Sequence, residues 1–139
     1  MSLKPHTLQV LARIKTYLNL VKEEEFRTIH CMTNVSDRRT HLPGGIWLWV
    51  SPQAGAGQHS PRIKVSKLRG KSGNNDSDWF CVSISDSPRI VAGTNDKYTT
   101  KEIRAIYAWV VLNKDTLITI WNSTDLDSGE IANMLKPLP

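Results

Sequence analysis

The stretch "GGIWLWVSPQAGAGQHSPRIKV", residues 44–65, contains two short alternating segments joined by a loop rich in glycine and proline. Because successive side chains of an extended chain point to opposite faces, each segment divides into two sets. One set is apolar and comprises Ile46, Leu48, Val50, Ile63 and Val65, and the other comprises Trp47, Trp49, Arg62 and Lys64. The loop residues favour a turn, so the stretch predicts an antiparallel hairpin.

The same alternation continues on both sides of the hairpin. Residues 26–35, "FRTIHCMTNV", are β-prone and alternate in part, and residues 78–88, "DWFCVSISDSP", alternate clearly. Residues 89–93, "RIVAG", allow one more edge strand. Links such as "GKSGNNDSD" are made of turn-forming residues and do not resemble the helix that a crossover between parallel strands needs. The sequence therefore predicts an antiparallel meander of about four or five strands.

Helical periodicity appears before and after these strands. Apolar residues recur at helical spacing from Val10 to Val21, which predicts a helix over residues 5–22. Thr99 lies three residues before Glu102, the spacing of a capping box, and precedes a second helical stripe. The apolar members of that stripe are Ile103, Ile106, Tyr107, Val110, Leu117, Ile120 and Trp121. They predict a main helix over residues 100–121.

Asn113 and Lys114 interrupt this stripe, which allows a bend there, and a last short helix is predicted around Ile131 and Met134. Segregated elements of this kind predict an α+β fold. In it, the meander sheet carries an N-terminal helix and two C-terminal helices packed on one face. At 139 residues, without a linker or repeat, the chain is expected to form a single domain over residues 1–139.

Positive charge is concentrated in the middle of the chain. The formal net charge is +5, and the segment between Arg38 and Asn75 contains seven Lys or Arg residues and no Asp or Glu. Such a block predicts an electropositive face and an anionic partner. The alternative is a set of strand-edge cations that prevent pairing with other sheets.

Residues 40–61 contain no Asp, Glu, Lys or Arg, but their prolines and glycines would leave backbone groups unsatisfied in lipid. No membrane partner is therefore expected. Cys31 and Cys81 form no motif and are interpreted as two reduced, buried thiols. Since no signal-peptide pattern is seen, we expect a cytoplasmic protein.

Motifs that would indicate a defined chemistry do not occur in the sequence. The glycine-rich loop lacks the lysine and the following helix of a phosphate-binding loop, and the histidines and cysteines do not have zinc-site spacing. We therefore predict no catalytic residue, no metal and no cofactor. A metal-independent ribonuclease needs only scattered acids, bases and phosphate clamps, and the hairpin region offers His41, His59, Arg62 and Lys64.

The candidate binding surface is the basic, aromatic face of the hairpin. Aromatic rings beside cations can stack bases and neutralise phosphates, or can form a protein-interface hot spot. The candidate residues are Trp47, Trp49, His59, Arg62, Lys64, Lys67 and Arg69. The opposing hypothesis places both tryptophans inward under the helices, because large apolar rings favour burial.

Three segments carry a resemblance to known proteins: "SPRIKV" (60–65), "VSISDSPRIVAGT" (82–94) and "WVVLNKDTLITIWN" (109–122). Together they resemble a group of small uncharacterised proteins of phages, prophages and bacterial mobile elements. The resemblance implies a bacterial or phage cytoplasmic setting and one compact domain. It supplies no activity and no catalytic residue.

These observations lead to three hypotheses about function. The first is a non-enzymatic binding module that contacts nucleic acid or an acidic protein through the basic aromatic hairpin, in an accessory role for a phage or mobile element. The second is a small metal-independent ribonuclease of toxin type. The third is an interaction subunit that self-associates as a homo-oligomer.

Overall fold

A computed structural model of the chain describes residues 33–52 and 59–139. The helix predicted over residues 5–22 lies outside the described residues, as does most of the predicted strand over 26–35. Within the described part, five strands form one sheet: β1 (Thr33–Val35), β2 (Leu48–Val50), β3 (Arg62–Ser66), β4 (Trp79–Ser83) and β5 (Ile90–Ala92). Each strand pairs antiparallel with the next one in the sequence, which confirms the predicted meander.

The described residues also form helices, and these confirm the α+β class. They are α1 (Asp37–Thr40), α2 (Thr100–Leu112), α3 (Lys114–Trp121) and α4 (Ser128–Met134). Helix α2 begins with the predicted capping box. The Thr99 hydroxyl accepts the N–H of Glu102 at 3.2 Å, and the Glu102 carboxylate accepts the N–H of Thr99 at 3.0 Å. Both reciprocal hydrogen bonds satisfy backbone donors that the first turn cannot satisfy itself.

The main helix predicted over residues 100–121 forms two helices, because the chain breaks at Asn113, where the sequence allowed a bend. The backbone of this residue has φ −103° and ψ 10°, outside the helical region. Its side-chain amide donates to the carbonyls of Trp109 at 3.0 Å and Lys136 at 2.9 Å, and accepts the N–H of Lys136 at 2.7 Å. Side-chain bonds of this kind compete with the helical hydrogen bonds. The junction between α2 and α3 is thereby tied to the segment that follows α4.

The hydrophobic core lies between the helices and one face of the sheet, which we call the inner face. The sheet contributes Val35, Leu48, Val50, Ile63, Val65, Phe80 and Val82, and the helices contribute Ile103, Ile106, Trp109, Val110, Leu117, Ile120 and Ile131. Of the two orientations that the sequence left open for the hairpin, the structure shows the one in which Ile46, Leu48, Val50, Ile63 and Val65 face the helices. Tyr107, predicted in the helical stripe, is only half-buried, whereas Trp109, outside the predicted stripe, is fully buried. The apolar face of α2 is thus wider than the strict pattern indicates.

Candidate functional site

The opposite side of the sheet, the outer face, carries the two tryptophans and two of the cations of the predicted surface. Trp49 is the cross-strand partner of Lys64, whose Nζ lies 5.4 Å from the centre of the Trp49 ring. This distance is typical of a cation–π interaction. Arg62 precedes Lys64 on the same face, and Trp47 precedes Trp49. All four side chains are half-buried. The tryptophans do not lie under the helices, because the residues that alternate with them, Ile46, Leu48 and Val50, face the core.

Trp49 also stacks on Trp79 of β4, which was not among the candidate residues predicted from the sequence. The ring centres are 4.7 Å apart, and the ring planes differ by 10°. The stack spans β3 above Ser66, the cross-strand partner of Trp79, whose small side chain is fully buried. One face of the Trp49 ring is therefore occupied by a ring of the same chain. Trp79 lies on the same face of the sheet as Trp49, so the alternation of side chains along β4 could have added it to the candidate surface.

The segment between β3 and β4 covers this stack. A Cβ on Gly73 would come within 2.6 Å of the Trp79 indole Nε1, so the backbone of Gly73 packs directly on the ring. The Ser72 hydroxyl donates to the Asn34 side chain of β1 at 2.9 Å, so the segment also contacts the edge strand. The indole Nε1 of Trp49 is buried and has no hydrogen-bond partner among the described residues. The two stacked rings thus form a small second apolar cluster rather than an open aromatic platform.

Two cations of the predicted surface contact carboxylates from other elements. The Lys67 side chain is 15% exposed, and its Nζ lies 4.0 Å from the Asp96 carboxylate. The Arg69 guanidinium donates to both oxygens of Glu102, at 2.5 and 2.9 Å, and lies 4.7 Å from the centre of the Tyr98 ring. The sequence around the basic segment contains no sign of these partners, because Glu102 follows Arg69 by 33 residues.

The ion pair of Arg69 and Glu102 joins three parts of the chain. Hydrogen bonds from the Arg69 side chain and the Thr99 N–H hold the pKa of Glu102 at about 2, below its ordinary value of 4.5. Arg69 also donates to the carbonyl of Gly44 at 2.8 Å and to that of Lys97 at 3.0 Å. These bonds use both terminal nitrogens of the guanidinium. The turn before β2, the segment after β3 and the start of α2 therefore meet at Arg69.

Arg62, Lys64 and His59 lie on the part of the chain nearest the hairpin loop. The Arg62 Nε donates to the carbonyl of Ser60 at 3.2 Å, and His59 is exposed. None of the ion pairs in the described part of the chain involves Arg62 or Lys64. The structure therefore places Lys64 beside Trp49, with Arg62 two residues before it on the same face of β3. It places the other two predicted cations, Lys67 and Arg69, against carboxylates.

The described residues contain no group of three or more His, Cys, Asp or Glu arranged to hold a metal ion. No helix in residues 33–52 and 59–139 is long and apolar enough to cross a membrane. Cys81 is a free cysteine, half-buried on the outer face opposite Lys64 rather than in the core, and Cys31 lies outside the described residues. No family model, curated protein or solved structure matches the chain. Function is therefore inferred from the side chains themselves.

Proposed function

We propose that the protein is a non-enzymatic binding module that contacts nucleic acid or an acidic protein through the outer face of its sheet. The observation that supports this is the position of Arg62 and Lys64. They lie two residues apart on one face of β3, and no ion pair of the described residues involves either of them. Like charges held close together repel one another, so an anionic partner gains from neutralising them. The net charge of +5 adds long-range attraction.

The proposed setting is the bacterial cytoplasm, in an accessory role for a phage or mobile element. This part of the proposal rests on the resemblance of the segments between residues 60 and 122 to proteins of such elements. The binding surface includes β3 from the same region.

The test is the double variant Arg62→Ala, Lys64→Ala, assayed against duplex DNA, RNA and polyglutamate across a salt series. Binding to the anionic partner is expected to weaken, and the salt slope to flatten by about one contact per residue removed. The fold should stay intact, with a loss of stability of about 1 kcal/mol from the cation–π contact of Lys64 with Trp49. The matched control is Lys97→Ala, Lys101→Ala, which removes the same charge from exposed lysines near the start of α2.

Equal weakening by the two double variants would contradict the proposal, because net charge alone would then explain binding. Cleavage of RNA without added metal would instead support the ribonuclease of toxin type. A concentration-dependent mass without binding to any polyanion would support the self-associating subunit. In that case Val111 and Leu112, 48% and 45% exposed on α2, are the apolar residues to substitute next.

A further inference from the structure

We infer that the ligand of this surface is the phosphate backbone of a nucleic acid, and that Arg89 is a third cation of the site. The inference rests on the proposed function and narrows it to one ligand class. In the sequence, Arg89 stands apart from the hairpin, in the turn that precedes β5. The fold places it beside β4 and in line with Arg62.

The position of Arg89 follows from the strand register around Ser83. On one side, Ser83 is the cross-strand partner of Arg62. On the other side, the Ser83 N–H donates to the Arg89 carbonyl at 2.9 Å, and the Ser83 hydroxyl accepts the Arg89 N–H at 3.1 Å. The next residue, Ile90, packs against the core, so the Arg89 side chain lies on the outer face. Arg62 and Arg89 are therefore two strand spacings apart, about 10 Å.

The charges of this site are not neutralised within the described part of the chain. The ion pairs of the described residues involve Lys67, Arg69 and Lys114, and none of these cations belongs to the site. The carboxylate of the turn between β4 and β5, Asp86, is bound to Lys114 at 2.7 Å. Arg62 and Arg89 thus lie on the two sides of Ser83, and Lys64 lies two residues after Arg62 on the same face of β3. No acidic residue is the cross-strand partner of Arg62 or Lys64.

The composition of the site favours phosphates over an acidic protein surface. Guanidinium groups bind phosphate with two parallel hydrogen bonds, and lysine and serine side chains are common partners of nucleic-acid backbones. A protein interface would instead have aromatic or aliphatic anchors at its centre. Here Trp79 is only 8% exposed and Trp49 stacks on it, which leaves the half-buried Trp47 as the remaining tryptophan of the outer face. Base stacking needs an open ring, so backbone contacts, which carry no sequence preference, fit the site best.

The test measures binding of the full chain to a labelled duplex of mixed sequence across a salt series. Arg89→Gln is expected to reduce the slope of log affinity against log salt by about 0.9, the loss of one duplex phosphate contact. The matched control is Arg104→Gln, which removes the same charge from an exposed arginine of α2 and should leave the slope unchanged. Arg89→Lys keeps the charge and should keep the slope. A second duplex of unrelated sequence should bind with the same affinity.

Several results would overturn the inference. One is an equal loss of slope in Arg89→Gln and Arg104→Gln. Another is a strong preference for single-stranded DNA that Trp47→Ala removes, because this would mean base stacking. Binding to polyglutamate but not to DNA or RNA would also overturn it, while leaving the proposed function in place. If Arg89→Gln lowers the thermal midpoint, a competition assay on the wild-type protein replaces it. Inorganic polyphosphate should displace the duplex, and failure to do so would contradict phosphate recognition.

Discussion

Replacing Glu102 with glutamine is expected to destabilise the protein at neutral pH and to have little effect near pH 2. The carboxylate accepts hydrogen bonds from Arg69 at 2.5 and 2.9 Å and from the Thr99 N–H at 3.0 Å. The difference between its ordinary pKa of 4.5 and its value of about 2 sets an upper limit of about 3.4 kcal/mol. Because the Arg69 side chain is 45% exposed, solvent screens the pair, and we expect about 1–2 kcal/mol.

The direction of the pH dependence follows from the lowered pKa. The folded protein binds a proton at Glu102 less tightly than the unfolded chain does. The pair therefore stabilises the fold fully above about pH 5, and this stability is lost as the pH falls toward 2. Glutamine is also a capping-box residue, so Glu102→Gln removes the charge and keeps the cap on Thr99. The difference in unfolding free energy between wild type and variant should shrink steadily below about pH 5 and fall to less than half of its neutral-pH value by about pH 3.

Urea denaturation of both proteins at about pH 7, 5, 4 and 3 measures this difference. The matched control is Glu130→Gln, since Glu130 holds the same third position in α4 and its N–H is bound to the capping Asp127 at 2.8 Å. Glu130 is exposed and takes part in none of the ion pairs of the described residues. Its variant should change stability by less than about 0.5 kcal/mol. Equal stability of the two variants at pH 7, or a deficit for Glu102→Gln that persists unchanged at pH 3, would refute the reasoning.

Two further substitutions test the packing on either side of the sheet. Trp121→Ala is expected to lower the unfolding free energy by about 3–5 kcal/mol, because the residue is only 4% exposed. A loss below about 1 kcal/mol in urea denaturation would show that the helical stripe packs differently. Gly73→Ala is expected to cost about 1–3 kcal/mol, since the added Cβ would overlap the Trp79 indole. The exciton signal of the tryptophan stack in circular dichroism should weaken as well, and an unchanged melt and spectrum would mean that the segment does not press on the stack.

The strand order and the division of each strand into two faces can be read from the sequence by itself, whereas the choice of the face that packs on the helices cannot. The hairpin alternates with period two, and its links are turn-forming, so strands that follow one another in the chain pair with one another. The edge strand Ile90–Ala92 and the helix start at Thr99 are recognisable for the same reason. All of these features depend on residues only a few positions apart. The sequence also locates a possible bend at Asn113, but the full break there depends on hydrogen bonds to the distant Lys136.

Only the tertiary structure decides which cations of the basic segment are free. In the sequence, Lys64, Lys67 and Arg69 look alike, because no acidic residue lies near them. Folding brings Asp96 to Lys67 and Glu102 to Arg69 from elements that follow much later in the chain. The local charge pattern therefore does not show which cations will be paired with a carboxylate that is distant in sequence.

The same holds for the outer face of the sheet. Alternation places Trp49 and Trp79 on one side of their strands, but it does not say that the two rings stack across β3 under the segment that contains Gly73. It likewise does not predict that Arg89 lies in line with Arg62, since that depends on the register of two successive strand pairs. The period of a strand determines the face on which a residue lies, whereas its neighbour on that face is determined by how distant strands align.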